Sequence, residues 1–162
     1  MGKLIQNGAV VENTVTHIDD EATLPTDGAI TVSQARWQEN KAELIARGNV
    51  GVRVGAGETH HDLVEDLDSV SLIAIEFDAF KDGRGYSYAR LLRERNGFKG
   101  EIRAIGDVLQ DQLLPMKRCG FDAFEVRADR DINEALNGFT QLSETYQTDA
   151  HEDLPLYRRA SR

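Results

Sequence analysis

Three groups of residues in this chain have the types and spacing for chemistry. The first is the run Lys81-Asp82-Gly83-Arg84-Gly85-Tyr86-Ser87, which precedes a predicted helix. Its glycines let backbone N–H groups approach a ligand, and a helix start favours an anion. Arg84 can clamp two oxygens of such an anion. Lys81, Gly83, Arg84, Gly85 and Ser87 are therefore candidate anion-binding residues, with Arg103 as a second guanidinium near the same mouth. The same residues also read as a plain turn, with Ser87 capping the helix and Asp82 pairing with Arg84. Neither a Walker loop nor a dinucleotide fingerprint is present.

The second group follows predicted strands directly. Asp78 and Asp107 can act as acid or base or bind a hard metal, and Arg127 is a polar strand-end candidate beside them. Asp107 reads more simply as a helix cap. Arg53, Glu76, Arg103 and Glu125 lie within or near the ends of otherwise apolar strands, where charge is costly unless paired. They read as a polar site at the sheet's mouth or as structural ion pairs. The third group is His60-His61 and Cys119. Adjacent histidines diverge on a strand and stand about 100° apart on a helix, and no Cys or His elsewhere completes a ligand set. A solvated loop is the plain reading, and no metal is expected. Cys119 beside Gly120 reads as a small buried residue at a helix end, or as a reactive thiol if Lys117 and Arg118 lower its pKa.

The elements that must position these residues can be read from apolar period and punctuation. Asn7-Gly8 between Leu4-Ile5 and Ala9-Val10-Val11 predicts a hairpin over 1–13, and the polar text of 14–30 predicts a loop. Thr31 to Arg47 reads as a helix stopped by Gly48. Strands are predicted at Val50–Val54, Ser71–Phe77, Glu101–Gly106 and Phe121–Val126. Between them lie a short helix or turn from Glu58 to Leu67, a helix from Ser87 to Arg95, and a helix capped by Asp107 with Gln110 and kinked or split at Pro115. A last helix is predicted over Ile132–Tyr146. The expected fold is one α/β domain, 1–148, with about four mainly parallel strands flanked by helices after an N-terminal β-hairpin. A polar tail, 149–162, is expected to be exposed or to dock on a partner. Ligands in such sheets bind beyond the carboxyl ends of the strands.

Composition narrows the function. Of 162 residues 40% are hydrophobic, enough for a globular core, and no apolar run is long enough to span a membrane. The net charge of −9 argues against nucleic acid, whose phosphates need clustered Lys and Arg, and permits a basic protein partner. A single cysteine excludes an internal disulfide framework and an iron–sulfur cluster held by this chain alone. No cofactor is expected from any motif. With no signal-peptide pattern at the N-terminus, the expected location is the cytoplasm.

The stretch from Asp82 to Val126 closely resembles an uncharacterised bacterial family encoded beside assimilatory sulfite reductase. Asp82-Gly83-Arg84-Gly85-Tyr86-Ser87, Gly106-Asp107-Val108-Leu109 and Arg118-Cys119-Gly120-Phe121-Asp122-Ala123-Phe124-Glu125 carry the likeness. It extends back through Gly51-Val52, Leu63 to Leu67 and Leu72-Ile73-Ala74, and forward to Tyr146-Gln147. Pro115 departs from the family's pattern. The resemblance implies a role in reducing sulfite to sulfide, and it brings no catalytic residues with it. The expected function is an accessory protein in sulfur assimilation, with sulfite reductase or its electron donor as partner. A small oxyanion-binding enzyme or a flavin-dependent oxidoreductase of the same pathway is the alternative.

Overall fold

The computed structural model describes residues 2–55, 57–79, 83–140 and 147–159. The predicted hairpin forms from β1 (Lys3–Gln6) and β2 (Ala9–Glu12). Asn7 and Gly8 have φ of 52° and 76°. Paired positive angles give the two-residue turn whose twist suits the flanking strands. The remaining strands are β3 (Val15–His17), β4 (Ala29–Ser33), β5 (Val50–Val54), β6 (Leu72–Phe77), β7 (Glu101–Gly106) and β8 (Ala123–Phe124). β3 to β8 are parallel neighbours in sequence order, and β1 joins β8 antiparallel through Ile5↔Phe124. The hairpin thus extends one eight-stranded sheet, where the sequence suggests about four strands.

Two of the extra strands come from text read differently. Val15–His17 lies inside the expected loop, and Ala29–Ser33 overlaps the expected helix from Thr31. Thr31 and Val32 pair with Gly51 and Val52 of β5, a placement that suits β-branched side chains. Helix begins only after Ser33, whose hydroxyl accepts the Arg36 N–H at 3.1 Å. Two short helices follow, α1 (Gln34–Glu39) and α2 (Lys41–Arg47), broken at Asn40 with φ −119° and ψ 24°.

A 3-10 helix covers His60–Ser69, with Thr59 accepting the His61 N–H at 3.3 Å. α3 spans Arg84–Glu94, starting before the expected Ser87. A 3-10 turn, Gln110–Gln112, precedes α4 (Leu113–Cys119). Pro115 is the third residue of α4, in the first turn, where its missing N–H has no intrahelical acceptor to lose. Asp107 does not cap this segment. Leu109 is extended, and its N–H is taken by the Gln112 Oε1 at 3.0 Å. α5 spans Ile132–Leu136 and continues as the 3-10 turn Asn137–Thr140. The rest of the predicted helix, 141–146, lies outside the described residues. The tail folds back: the Ala150 N–H donates to the Arg118 carbonyl at 3.0 Å, and α6 (Leu156–Arg159) carries an exposed Tyr157.

Strand register sorts the side chains onto two faces. Ile30, Val32, Val50, Val52, Val54, Ile73, Ile75, Phe77, Ile102 and Ala104 share one face, all buried. Right-handed crossovers between sequential parallel strands put the helices on this face, and Trp37, Leu44, Leu63, Leu92 and Met116 complete the core there. The other face carries Gln6, His17, Thr31, Arg53, Glu101, Arg103 and, one residue past β8, Glu125. The sheet curls toward this second face: His17 on the edge strand β3 reaches Glu125, although four strands separate β3 from β8 in the sheet.

Candidate functional site

The concave face holds a connected polar network. Arg103 is 4% exposed, and its Nε donates to the Glu101 Oε1 at 2.6 Å. Its Nη1 donates to the Glu125 Oε1 at 2.9 Å and to the Asn13 Oδ1 at 3.0 Å. The Gln6 amide donates to the other Glu101 oxygen at 2.7 Å. His17 sits with Nδ1 2.6 Å from the Thr31 hydroxyl and Nε2 3.1 Å from both Glu125 oxygens. Burial pushes the Glu125 carboxyl up, but His17 and Arg103 outweigh it and hold it below the usual carboxylate range. A guanidinium this enclosed is tolerable because two carboxylates and an amide oxygen satisfy it. Of the charged strand residues, Arg103 and Glu125 are structural partners. Arg53 donates to the Ile18 carbonyl at 2.9 Å, and Glu76 is exposed at the end of β6.

A second cluster closes the carboxyl ends of β7 and β8. Gly106 has φ 88°, and a Cβ there would stand 2.5 Å from the Phe77 carbonyl oxygen. Only glycine fits that turn, which directs Asp107 back so that its N–H meets the same oxygen at 2.7 Å. Asp107 then accepts the Arg127 Nη1 at 2.7 Å. Arg127 grips Asp129 with two bonds, Nε at 2.6 Å and Nη2 at 2.9 Å. Asp129 and then Asp107 push the Arg127 pKa up, and Arg127 in turn draws the Asp129 carboxyl down. The sequence candidates Asp107 and Arg127 are thereby brought together. Asp78 stands exposed beyond β6.

The glycine-rich run is only partly described, and Lys81 lies outside the described residues. Gly83 precedes α3 with φ −83° and makes no side-chain cap. Arg84 is the first helical residue and already has an interaction partner within the chain. A Cβ on Gly85 would come 2.6 Å from the Phe77 ring, so this glycine serves close packing of helix on sheet. Ser87 is exposed within the helix and does not cap it. Arg103 does not share this mouth. Its guanidinium is enclosed by the concave network, three residues short of the end of β7.

The remaining sequence candidates have structural surroundings. His60 is 1% exposed and stacks against His61 and Tyr88. Burial first, then His61, lowers its pKa, so it is neutral at pH 7. No group of three or more metal-ligating side chains occurs among the described residues. Burial pushes the Cys119 thiol up, and Arg90 and Arg118 only partly offset it, so the thiol is not activated. Asp66 is 8% exposed and accepts the Trp37 indole at 2.9 Å and the Lys41 ammonium at 2.6 Å. Burial pushes its carboxyl up, and these partners pull it below the usual range. No helix among the described residues is long and apolar enough to cross a membrane. Sequence reading missed Asn13, His17, Thr31 and Gln6, whose partners are 14 to 108 positions away. It also passed over Glu101, although Glu101 and Arg103 are two charges alternating on one strand.

Comparison with known proteins adds one finding. Residues 51–157 match the family model described as a bacterial protein of unknown function, DUF934. No curated protein and no solved structure matches the chain.

Proposed function

The chain belongs to the DUF934 family of bacterial proteins, and on that premise we propose that it is a non-catalytic accessory protein of assimilatory sulfite reduction, acting with sulfite reductase or its electron donor. The pathway rests on the resemblance of residues 82–126. The accessory character rests on one observation: two of the candidate arginines of the sheet are spent on carboxylates of the same chain. Arg103 is held by Glu101 and Glu125, and Arg127 by Asp107 and Asp129. An oxyanion site needs donors left over for the ligand, and these two are neutralised twice over. A net charge of −9 instead suits docking to a basic protein surface.

A deletion strain tests the pathway. It should grow poorly on sulfate or sulfite and normally on cysteine, and equal growth on sulfate without a redundant copy would refute the assignment. Affinity purification from cells grown on sulfate should recover sulfite reductase or its donor. The oxyanion alternative retains one supporting feature, the start of α3 behind Gly83, which lacks a side-chain cap. Calorimetric titration with sulfite, sulfate and phosphate separates the two readings: heat of binding lost in Arg84→Ala favours the enzyme, and no heat favours the accessory role.

A further inference from the structure

A ten-residue 3-10 helix, His60–Ser69, joins β5 to β6. Hydrogen bonds in such a helix are poorly aligned, and runs beyond three or four residues are uncommon. Its first turn is held from outside, on two sides. Toward α1, the Gln34 amide nitrogen donates to the Thr59 carbonyl at 2.8 Å and the Gln38 amide donates to the Asp62 carbonyl at 3.0 Å. Toward α3, the hold is the His60 ring, whose centroid lies 4.9 Å from that of Tyr88. Neutral amides make the first hold, and it does not respond to pH. An imidazole makes the second.

His60 is 1% exposed, and its Nδ1 is buried with no hydrogen-bond partner among the described residues. In an imidazolium both nitrogens donate, so Nδ1 would become a charged N–H without an acceptor. The groups around it supply no counter-charge. On its own element His61 faces it, ring centroids 4.2 Å apart, and can add only a like charge. From α3 it meets the Tyr88 ring, whose attraction for a cation is smaller than the cost of burying an unpaired one. Glu58, two residues upstream, is taken by the Gly55 N–H at 2.6 Å, and Asp62 lies with Gln38 and Lys41 on the α1 side. Burial first, then His61, accordingly holds the His60 pKa down.

Tyr88 is also a wall of a crevice at the carboxyl ends of β5 and β6, where Gly55, Glu58, Glu76 and Arg84 meet at the start of α3. Ligands of parallel sheets bind at such ends. This crevice is shut to about 10 Å³, the space of one water. We propose that the His60–Tyr88 stack is an acid-released latch: protonation of His60 frees residues 59–62 from α3 and opens the crevice beside Tyr88. The device goes beyond the accessory reading and does not depend on it. Its sense follows from burial. The closed form binds the His60 proton more weakly than the opened one. The latch therefore holds above the ordinary histidine value of about 6.5 and loosens as the pH falls below it.

The test is amide hydrogen exchange of the full ¹⁵N-labelled chain at pH 7.5 and pH 5.5, corrected for intrinsic rates. Protection over residues 58–63 should fall at pH 5.5 relative to the rest of the domain by up to about ten-fold, the limit that one imidazole proton sets one unit below its ordinary value. His60→Phe keeps a ring against Tyr88 and cannot gain a proton, so the local response should vanish. A local change below about two-fold, a loss spread evenly over the domain, or an undiminished response in His60→Phe would each overturn the proposal. Ring resonances of the wild type give a second readout that needs no variant. The His60 and Tyr88 rings should shift together through one acid midpoint, and a Tyr88 ring that stays put while His60 titrates would equally refute the latch.

Discussion

Arg103→Met is the sharpest test of how the concave face is held. The replacement keeps length and apolar contact and removes the charge. Arg103 makes two charge-assisted bonds to carboxylates, each contributing about 1.5–3 kcal/mol. Burying a methionine in its place recovers about 1 kcal/mol. The net loss is about 2–5 kcal/mol, against a total stability of about 5–15 kcal/mol for an ordinary domain. At this chain length the melting temperature should fall by about 4–20 °C. The loss must also depend on pH. The Glu125 carboxyl is held below its usual range in the folded protein. A depressed carboxylate contributes stability that is fully present above the unfolded value, about 4.3, and is lost as pH falls through the folded value. Without Arg103 that contribution shrinks, so wild type and variant should converge in acid. Urea denaturation at pH 7 and pH 4 measures both quantities. A loss below about 1 kcal/mol at pH 7, or an equal loss at both pH values, would refute the reasoning.

Other consequences are as direct. Gly85→Ala should cost about 1–3 kcal/mol by overpacking against the Phe77 ring, and Phe77→Leu in the same chain should recover part of it in thermal melts. Trp37→Phe should cost about 1–3 kcal/mol in urea denaturation, because the buried Asp66 Oδ2 loses its indole donor. Cys119 should react with iodoacetamide near neutral pH more slowly than free cysteine, since burial pushes its thiol up; a faster reaction would contradict the geometry. The purified protein should be colourless, and a flavin spectrum after gentle purification would favour electron transfer over the accessory role.

The strands legible in the sequence were those with enough apolar residues to declare themselves. Val50–Val54, Leu72–Phe77 and Glu101–Gly106 are buried on the helix side and bounded by turns, so their pattern is local. Val15–His17 is three residues with only Thr16 on the helix side, too short for any period to show. Ala29–Ser33 was hidden because its β-branched residues run straight into a good helix cap at Ser33. Asp107 had the spacing of a cap, but the αL-like turn at Gly106 aims it at Arg127. The network around Arg103 was illegible for a different reason. His17 on the far edge strand meets Glu125 only because the sheet curls, and curvature has no signature in the spacing of residues.

That curl also sets a timetable. His17 emerges from the ribosome 108 residues ahead of the Glu125 it must clasp, and Asn13 waits 90 residues for Arg103. Contacts of such long sequence separation form late, because the intervening chain must be ordered first. During synthesis β3 and β4 have no sheet to join until β5 follows. The clasp cannot close until the last parallel strand is in place. Nascent chains therefore carry an open clasp and several unneutralised charges for most of translation, a state prone to wrong pairing. The same clasp, once closed, makes the two ends of the parallel sheet report on each other, so a lesion at either margin of the molecule should be felt at the opposite one.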